Sequence, residues 1–436
     1  MTTATSVARI VSALRGCPTG QISGLVSEQI SDPIFNLIFN LIFKLIGTNH
    51  LKLSQLIPLY IGAAIGPMGG FGIVTILPVM AHNWSVSFGS ISVAITAYMM
   101  PFIAIQIFSG AIAQIFDARR TLLFGFTGFA IGALFSGLSP NFGAFLAFRI
   151  VQGIGAGFLT PIIMALIGEL VPEKHIGKAI GFLGVAYTVG VTLGPYLSGA
   201  IEVRLGWAFF FYFLSVVALL AGLFYLLTST AQERPMDRQA NLLDILPLLK
   251  SAIRKPGAVL ISFAAFALFF GYIGIMTFTA DDLRTLAGLT SDKIGTILSI
   301  TGLSGIVVSP IAGYAGDRVG RKTVFVFGSL IAILAIGLML WLPYGFFNRL
   351  LLFLLLGTGA ATAWTSLNTM AVRISTSLRQ PVTSIYNAIK FSGYAVSPAV
   401  LALLYAPYKL QAVQVGSMLA IAAATILALS AKPRTN

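Results

Sequence analysis

Twelve apolar runs, most about twenty residues or longer and joined by short polar connections, constrain this 436-residue chain more than any other feature. They fall at about 56–80, 89–112, 121–139, 143–168, 178–201 and 207–228, and again at 257–280, 290–314, 322–343, 349–371, 382–405 and 412–431. A helix of that length crosses the hydrocarbon core, and in lipid the backbone must satisfy its polar groups internally. The expected fold is therefore all-α, with twelve transmembrane helices. Only 9% of residues are charged, against about a quarter in soluble proteins, so a water-facing surface is excluded.

The longest polar break, 229–256, contains Gln232-Glu233-Arg234-Pro235-Met236-Asp237-Arg238-Gln239 and separates two groups of six spans. The expected organisation is a leading segment 1–53, a bundle over 54–228, a linker over 229–256, a second bundle over 257–431 and a tail over 432–436. The net charge of +14 does not point to nucleic acid, because the basic residues sit in connections and form no aromatic-interleaved face. With both ends in the cytoplasm, twenty Lys and Arg fall on the inner side and five on the outer (Arg204, Arg284, Lys293, Arg349, Lys409), which sets the expected topology in the cell membrane.

Within the first segment, FNLIFNLIFKLI places Asn36, Asn40 and Lys44 four residues apart on one polar stripe. It is too short to span, so a helix over about 33–46 lying along the inner leaflet is expected. No basic–apolar–small cleavage pattern is present, and no removable signal peptide is expected. Cys17 is the single cysteine, and His50, His82 and His175 lack ligand spacing, so neither disulfide, metal site nor cofactor is expected. No HExxH, Ser/His/Asp set or GxxxxGK[ST] loop occurs, which argues against an enzyme and against ATP-driven transport.

The two groups of spans repeat one another. Between the second and third spans of each half stand GAIAQIFDARR (110–120) and GYAGDRVGRK (313–322), with Gly110 and Gly313 203 residues apart. Gly190-x-x-x-Gly194-Pro195 and Gly393-x-x-x-Ser397-Pro398 recur at the same offset. Parallel repeats of six helices place a cleft between two bundles.

These residues carry a resemblance to the major facilitator superfamily of transporters over about 54–431. Gly313, Asp317, Arg318, Gly320, Arg321 and Lys322 match the family's loop signature, linked there to conformational switching. Glycines permit a tight turn, and arginines are placed to pair with the aspartate and with helix C-terminal carbonyls, latching the bundles. The first copy (Gly110, Asp117, Arg119) departs from the pattern: Gln114 stands where the aspartate is expected, and Asp117 and Ala118 replace a glycine and an arginine. Arg149-x-x-Gln152-Gly153-x-Gly155 resembles the motif that places an arginine inside the membrane. The Gly190, Gly194, Pro195 run, continued by Gly199, resembles the drug:proton antiporter branch.

Two bases fall inside spans, Arg149 and Lys390, each at a cost on the order of 3 kcal/mol. All thirteen carboxylates fall outside the span interiors, with Asp281 and Asp282 at the end of the seventh span. The expected cleft is net positive, with Arg149 and Lys390 facing it, Lys390 as the titrating group, and Tyr98, Gln106, Tyr187, Asn368, Tyr386 and Asn387 as candidate lining. The repeat offset places Tyr187 opposite Lys390. The resemblance implies a monomeric secondary transporter in the lipid bilayer, working by alternating access as a proton-coupled exporter (antiporter) of small organic or amphiphilic molecules, of the multidrug-efflux kind. A symporter or uniporter of an anionic metabolite held by Arg149 and Lys390 is the alternative.

Overall fold

The computed structural model describes residues 50–229, 245–255, 257–375 and 379–431. Six helices form the first half: α1 (His50–Asn83), α2 (Phe88–Phe116), α3 (Ala118–Gly137), α4 (Phe142–Leu170), α5 (Glu173–Leu205) and α6 (Ala208–Thr228). A short α7 (Ile245–Ile253) follows, inside the stretch read as linker. The second half comprises α8 (Ala258–Thr285), α9 (Ser291–Val319), α10 (Arg321–Trp341), α11 (Phe346–Arg373) and α12 (Arg379–Ser430). Helix α12 is two helices run together across Lys409, whose φ of 55° and ψ of −161° are not helical, so the second half also has six long helices. The 33–46 segment and the 432–436 tail lie outside the described residues.

Charge marks the end of a hydropathy window, but it does not end a helix. The seventh span, expected to stop at 280, continues as α8 to Thr285. Asp281 and Asp282 therefore lie within the helix, and Asp282 is buried. Helix α1 likewise exceeds its run: its 34 residues make a rod about 51 Å long, against about 30 Å of hydrocarbon.

The repeat is legible in individual contacts. A Cβ on Gly155 of α4 would lie 2.2 Å from the Phe129 amide nitrogen of α3, and one on Gly359 of α11 would lie 2.5 Å from that of Ala332 on α10. Arg119 donates to the Leu226 carbonyl at 3.1 Å, and 203 residues on Lys322 donates to that of Leu429 at 2.7 Å. Each bond ties the start of a third helix to the end of the sixth helix of the same half.

The halves meet along two seams. In the first, α5 packs closely on α9: a Cβ on Gly199 would sit 2.2 Å from the Ser291 carbonyl oxygen, and one on Gly295 would sit 2.3 Å from that of Pro195. In the second, α2 packs on α12, where Thr96 donates to the Ala395 carbonyl at 2.6 Å and Phe102 meets Phe391 edge-on at 5.6 Å. Both seams lie toward the ends opposite the basic turns at 117–120 and 317–322. Nearer that basic face, Gly181 and Gly184 of α5 and Gly313 of α9 have open space beside them. The contacts described between the halves thus lie toward the end away from the basic turns.

Candidate substrate and proton pathway

Arg149 projects from α4 into the interior of the first half and is fully buried. Its guanidinium donates to the Gly69 carbonyl of α1 (3.2 Å), the Ala94 carbonyl of α2 (3.4 Å) and Gln152 Oε1 (2.6 Å). Carbonyl oxygens on two neighbouring helices, each with a second lone pair to offer, are what a desolvated guanidinium requires, since it has five donors and no acceptor. Among the described residues, Arg149 Nη2 and Gln152 Nε2 have no partner. The ring of Tyr98 lies 4.3 Å from the guanidinium, and its hydroxyl donates to the Gly66 carbonyl at 2.7 Å.

The opposite face of this layer is a small pocket between the halves. Phe71, Tyr98, Phe102 and Tyr187 line it from the first half, and Phe391 and Tyr394 from the second. Tyr394 crosses the divide to donate to the Gly70 carbonyl at 2.8 Å, and its ring packs on Phe71 at 4.8 Å. Tyr187, expected opposite Lys390, lines this pocket together with Phe391, the residue that follows Lys390.

Lys390 stands beside that pocket on α12. Its ammonium donates to Asn387 Oδ1 at 2.8 Å and lies 4.5, 5.3 and 5.5 Å from the rings of Phe391, Tyr386 and Phe269. The Tyr386 hydroxyl donates to Asn368 Oδ1 at 2.7 Å, joining α11 to the group. Among the described residues no carboxylate forms an ion pair with Lys390. Aromatic faces compensate a cation only partly, by roughly 0.5–2 kcal/mol each. Gln106 is half-buried on α2, about two turns from Tyr98 toward the basic face.

The loop motif forms its ion pairs inside the second half. Asp317 accepts from Arg321 and, at 3.1 Å, from Arg373 of α11. Arg318 instead covers the ring of Tyr314 at 4.5 Å. Gly320 turns the chain with φ of 95°. Among the described residues these ion pairs tie α9, α10 and α11 together within the second half. In the first half Asp117 caps α3 by accepting from the Arg120 amide at 3.3 Å.

A second polar group, unanticipated from the sequence, sits at the end away from the basic turns. Tyr405 of α12 contacts both Asp281 (2.6 Å) and Asp282 (2.7 Å), and Tyr344 donates to Asp282 at 3.0 Å. Arg349, counted on the outer side at the first position of the 349–371 span, is fully buried and donates to the Met339 and Leu342 carbonyls at 3.2 and 3.4 Å. Burial and the Asp282 carboxyl push the Tyr344 hydroxyl up to about 12, so it remains a donor at any physiological pH. The one available signal was the adjacent pair of aspartates beside a predicted helix end.

Compared with known families, residues 59–290 and 280–436 match the Major Facilitator Superfamily. The chain belongs to that superfamily. It is a multi-pass membrane transporter at this level of description. An uncharacterised MFS-type transporter of Bacillus subtilis is 24% identical over 74% of this chain and 82% of its own length. A riboflavin transporter of Clostridioides difficile is 27% identical over 45% of this chain and 43% of its own. A multidrug resistance protein B homolog of Mycobacterium tuberculosis is 30% identical over 38% and 31%.

The superfamily fold is also seen in the solved structure of a bacterial homolog of the human lysosomal transporter Spinster, inward-facing and unoccupied. It superposes with a TM-score of 0.70 at 16% identity, covering 88% of this chain and 96% of that one. Within this facilitator the antiporter-like run serves as a packing surface. A Cβ on Gly190 would lie 2.1 Å from the Ala64 carbonyl oxygen, and Ser198 donates to the Gly72 carbonyl at 2.6 Å. The same helix then turns its next glycine, Gly199, to the other half.

Proposed function

We propose that this facilitator is a proton-coupled exporter of small amphiphilic molecules of neutral or anionic character, with its basic face in the cytoplasm. The observation that carries the reading is Lys390, an ammonium buried beside an aromatic pocket between the halves, with no ion-paired acid among the described residues. A lysine in such a place works by exchanging its proton, because the neutral amine is the form a dry site tolerates. The aromatic walls supply area for an apolar ligand body, and the unpaired cation supplies the one polar preference. The close α5–α9 seam supports the antiport assignment in that the antiporter-like run itself, through Pro195 and Gly199, forms it. Arg149 acts through position in this account: it fixes the carbonyls of α1 and α2 behind Tyr98, and so the wall of the pocket.

Everted membrane vesicles test it. With an acidic interior, uptake of an anionic or neutral fluorescent amphiphile is expected to rise, and to collapse when a protonophore is added. Uptake that follows the amphiphile gradient alone, unaffected by the protonophore, would establish the uniporter instead.

A further inference from the structure

Tyr405 holds more contacts than its own hydrogen can supply. Its hydroxyl oxygen lies 2.6 Å from Asp281 Oδ2 and 2.7 Å from Asp282 Oδ1, and Tyr344 approaches Asp282 Oδ2 at 3.0 Å. Those are three oxygen–oxygen contacts at hydrogen-bond length, and two phenols bring two hydrogens between them. The third must come from a carboxyl group.

We propose that Tyr405, Asp281 and Asp282 form a proton-binding gate, in which one proton shared around the Tyr405 hydroxyl holds the two halves closed at this end. The proton is the ligand, and Tyr405 is the moving part. Its ring lies 5.9 Å from Phe88 of α2 and 4.8 Å from Phe278 of α8, and Phe88 meets Phe278 at 5.5 Å. Phe88 is thus the first half's contact with a surface that the aspartates hold in place. One turn away along the same seam, a Cβ on Gly89 would lie 3.1 Å from that of Ala402. When the proton leaves, the two ionised carboxylates repel each other, Tyr405 can donate to only one of them and loses its bridge to the other, and Phe88 loses its seat.

A second observation points the same way. Arg349 is fully buried, its Nε has no partner among the described residues, and its guanidinium lies 4.3 Å from the ring of Tyr344. An incompletely satisfied guanidinium stacked on the ring whose hydroxyl reaches Asp282 is a counter-charge held in reserve for the ionised state. Of the other charged groups at this end, Lys409 of α12 acts on both aspartates and Arg284 of α8 donates to Ser291 at 3.4 Å, while Glu202 and Arg204 of α5 and Asp292 and Lys293 of α9 stand along the other seam. From α2 the facing group is Phe88, which does not titrate.

The inference rests on the proton-coupled reading and adds where a proton from the opposite side is received. Double electron–electron resonance on the full-length chain in nanodiscs tests it. The chain would carry Cys17→Ser, with spin labels at Asn83→Cys and Phe347→Cys, exposed positions at this end of the two halves. Between about pH 5 and about pH 9 the wild-type distance is expected to lengthen as carboxyls ionise. Asp281→Asn and Asp282→Asn supply a permanent N–H in place of the proton, so each is expected to stay short throughout. Tyr405→Phe removes the bridge and is expected to lose the pH response. A wild-type distance that ignores pH, or Asn variants that keep the wild-type midpoint, would overturn the gate. Lys390→Met is expected to retain the response; if it abolishes it, the titration belongs to Lys390 and the gate falls. Failure of export with a normal distance response would count against the exporter reading alone.

Discussion

Asp117 and Gly320 stand 203 residues apart and turn the chain in the same way, with φ of 73° and 95° at the corner between the second and third helices of each half. Glycine reaches that region at no steric cost, whereas aspartate does so with a local hydrogen bond, here to the Arg120 amide. The departure from the family pattern at Asp117 is therefore a change of residue within a conserved backbone geometry. Gly320→Asp is expected to be tolerated to within about 1 kcal/mol. Gly320→Val, with a branched side chain in the left-handed region, is expected to lose about 1–3 kcal/mol. Thermal unfolding in detergent compares the two directly.

Gly190 and Gly199, at the two ends of the antiporter-like run, should fail differently when enlarged. Gly190 abuts Ala64 of its own half, and Gly199 abuts Ser291 of the other half, each with no room for a methyl group. Gly190→Ala is expected to lower melting stability by about 1–3 kcal/mol through overpacking. Gly199→Ala is expected to relieve its clash by parting the seam. Its signature is a longer distance between labels on α5 and α9, with a smaller change in melting.

Arg149 binds the first half together as well as walling the pocket. Replacing it with Ala removes the donors that join the Gly69 and Ala94 carbonyls and leaves Gln152 Oε1 without this partner in a dry interior. A loss of about 2–5 kcal/mol in unfolding stability is expected, and Arg149→Lys should recover only part of it, because an ammonium cannot fork to two helices. Pocket binding should weaken in parallel with stability in both variants.

Lys390 is expected to behave in the opposite way. Its charge is unpaired, so Lys390→Met should leave unfolding stability unchanged or raise it by up to roughly 3 kcal/mol. Coupling to protons should be lost in the same variant. Stability and activity moving apart at this position, and together at Arg149, would separate a titrating group from a structural one.

How much of this was legible in the sequence follows from what hydropathy and repeats measure. The long helices, the two halves and the 203-residue offset are written in apolar runs and motif pairs, and the contacts of Arg119 and Lys322 repeat at that offset. The direction of a side chain is not written there. Arg149 was recognisable as an arginine inside the membrane, but which neighbouring carbonyls it meets depends on how α4 rotates against α1 and α2. The Asp281–Asp282–Tyr405 group was missed because a hydropathy window closes where charge begins, while α8 runs five residues beyond 280. Arg349 opens the span read at 349–371, and its burial in the first turn of α11 is a matter of packing that hydropathy does not measure.

The most direct test of the account is transport by purified protein in proteoliposomes under an imposed pH gradient, using one anionic, one neutral and one cationic fluorescent amphiphile. The prediction is that the anionic or neutral dye moves against its gradient toward the acidic compartment in the wild type, and only down its gradient in Lys390→Met. Gradient-driven accumulation that survives unchanged in Lys390→Met, or that is confined to the cationic dye, would contradict it.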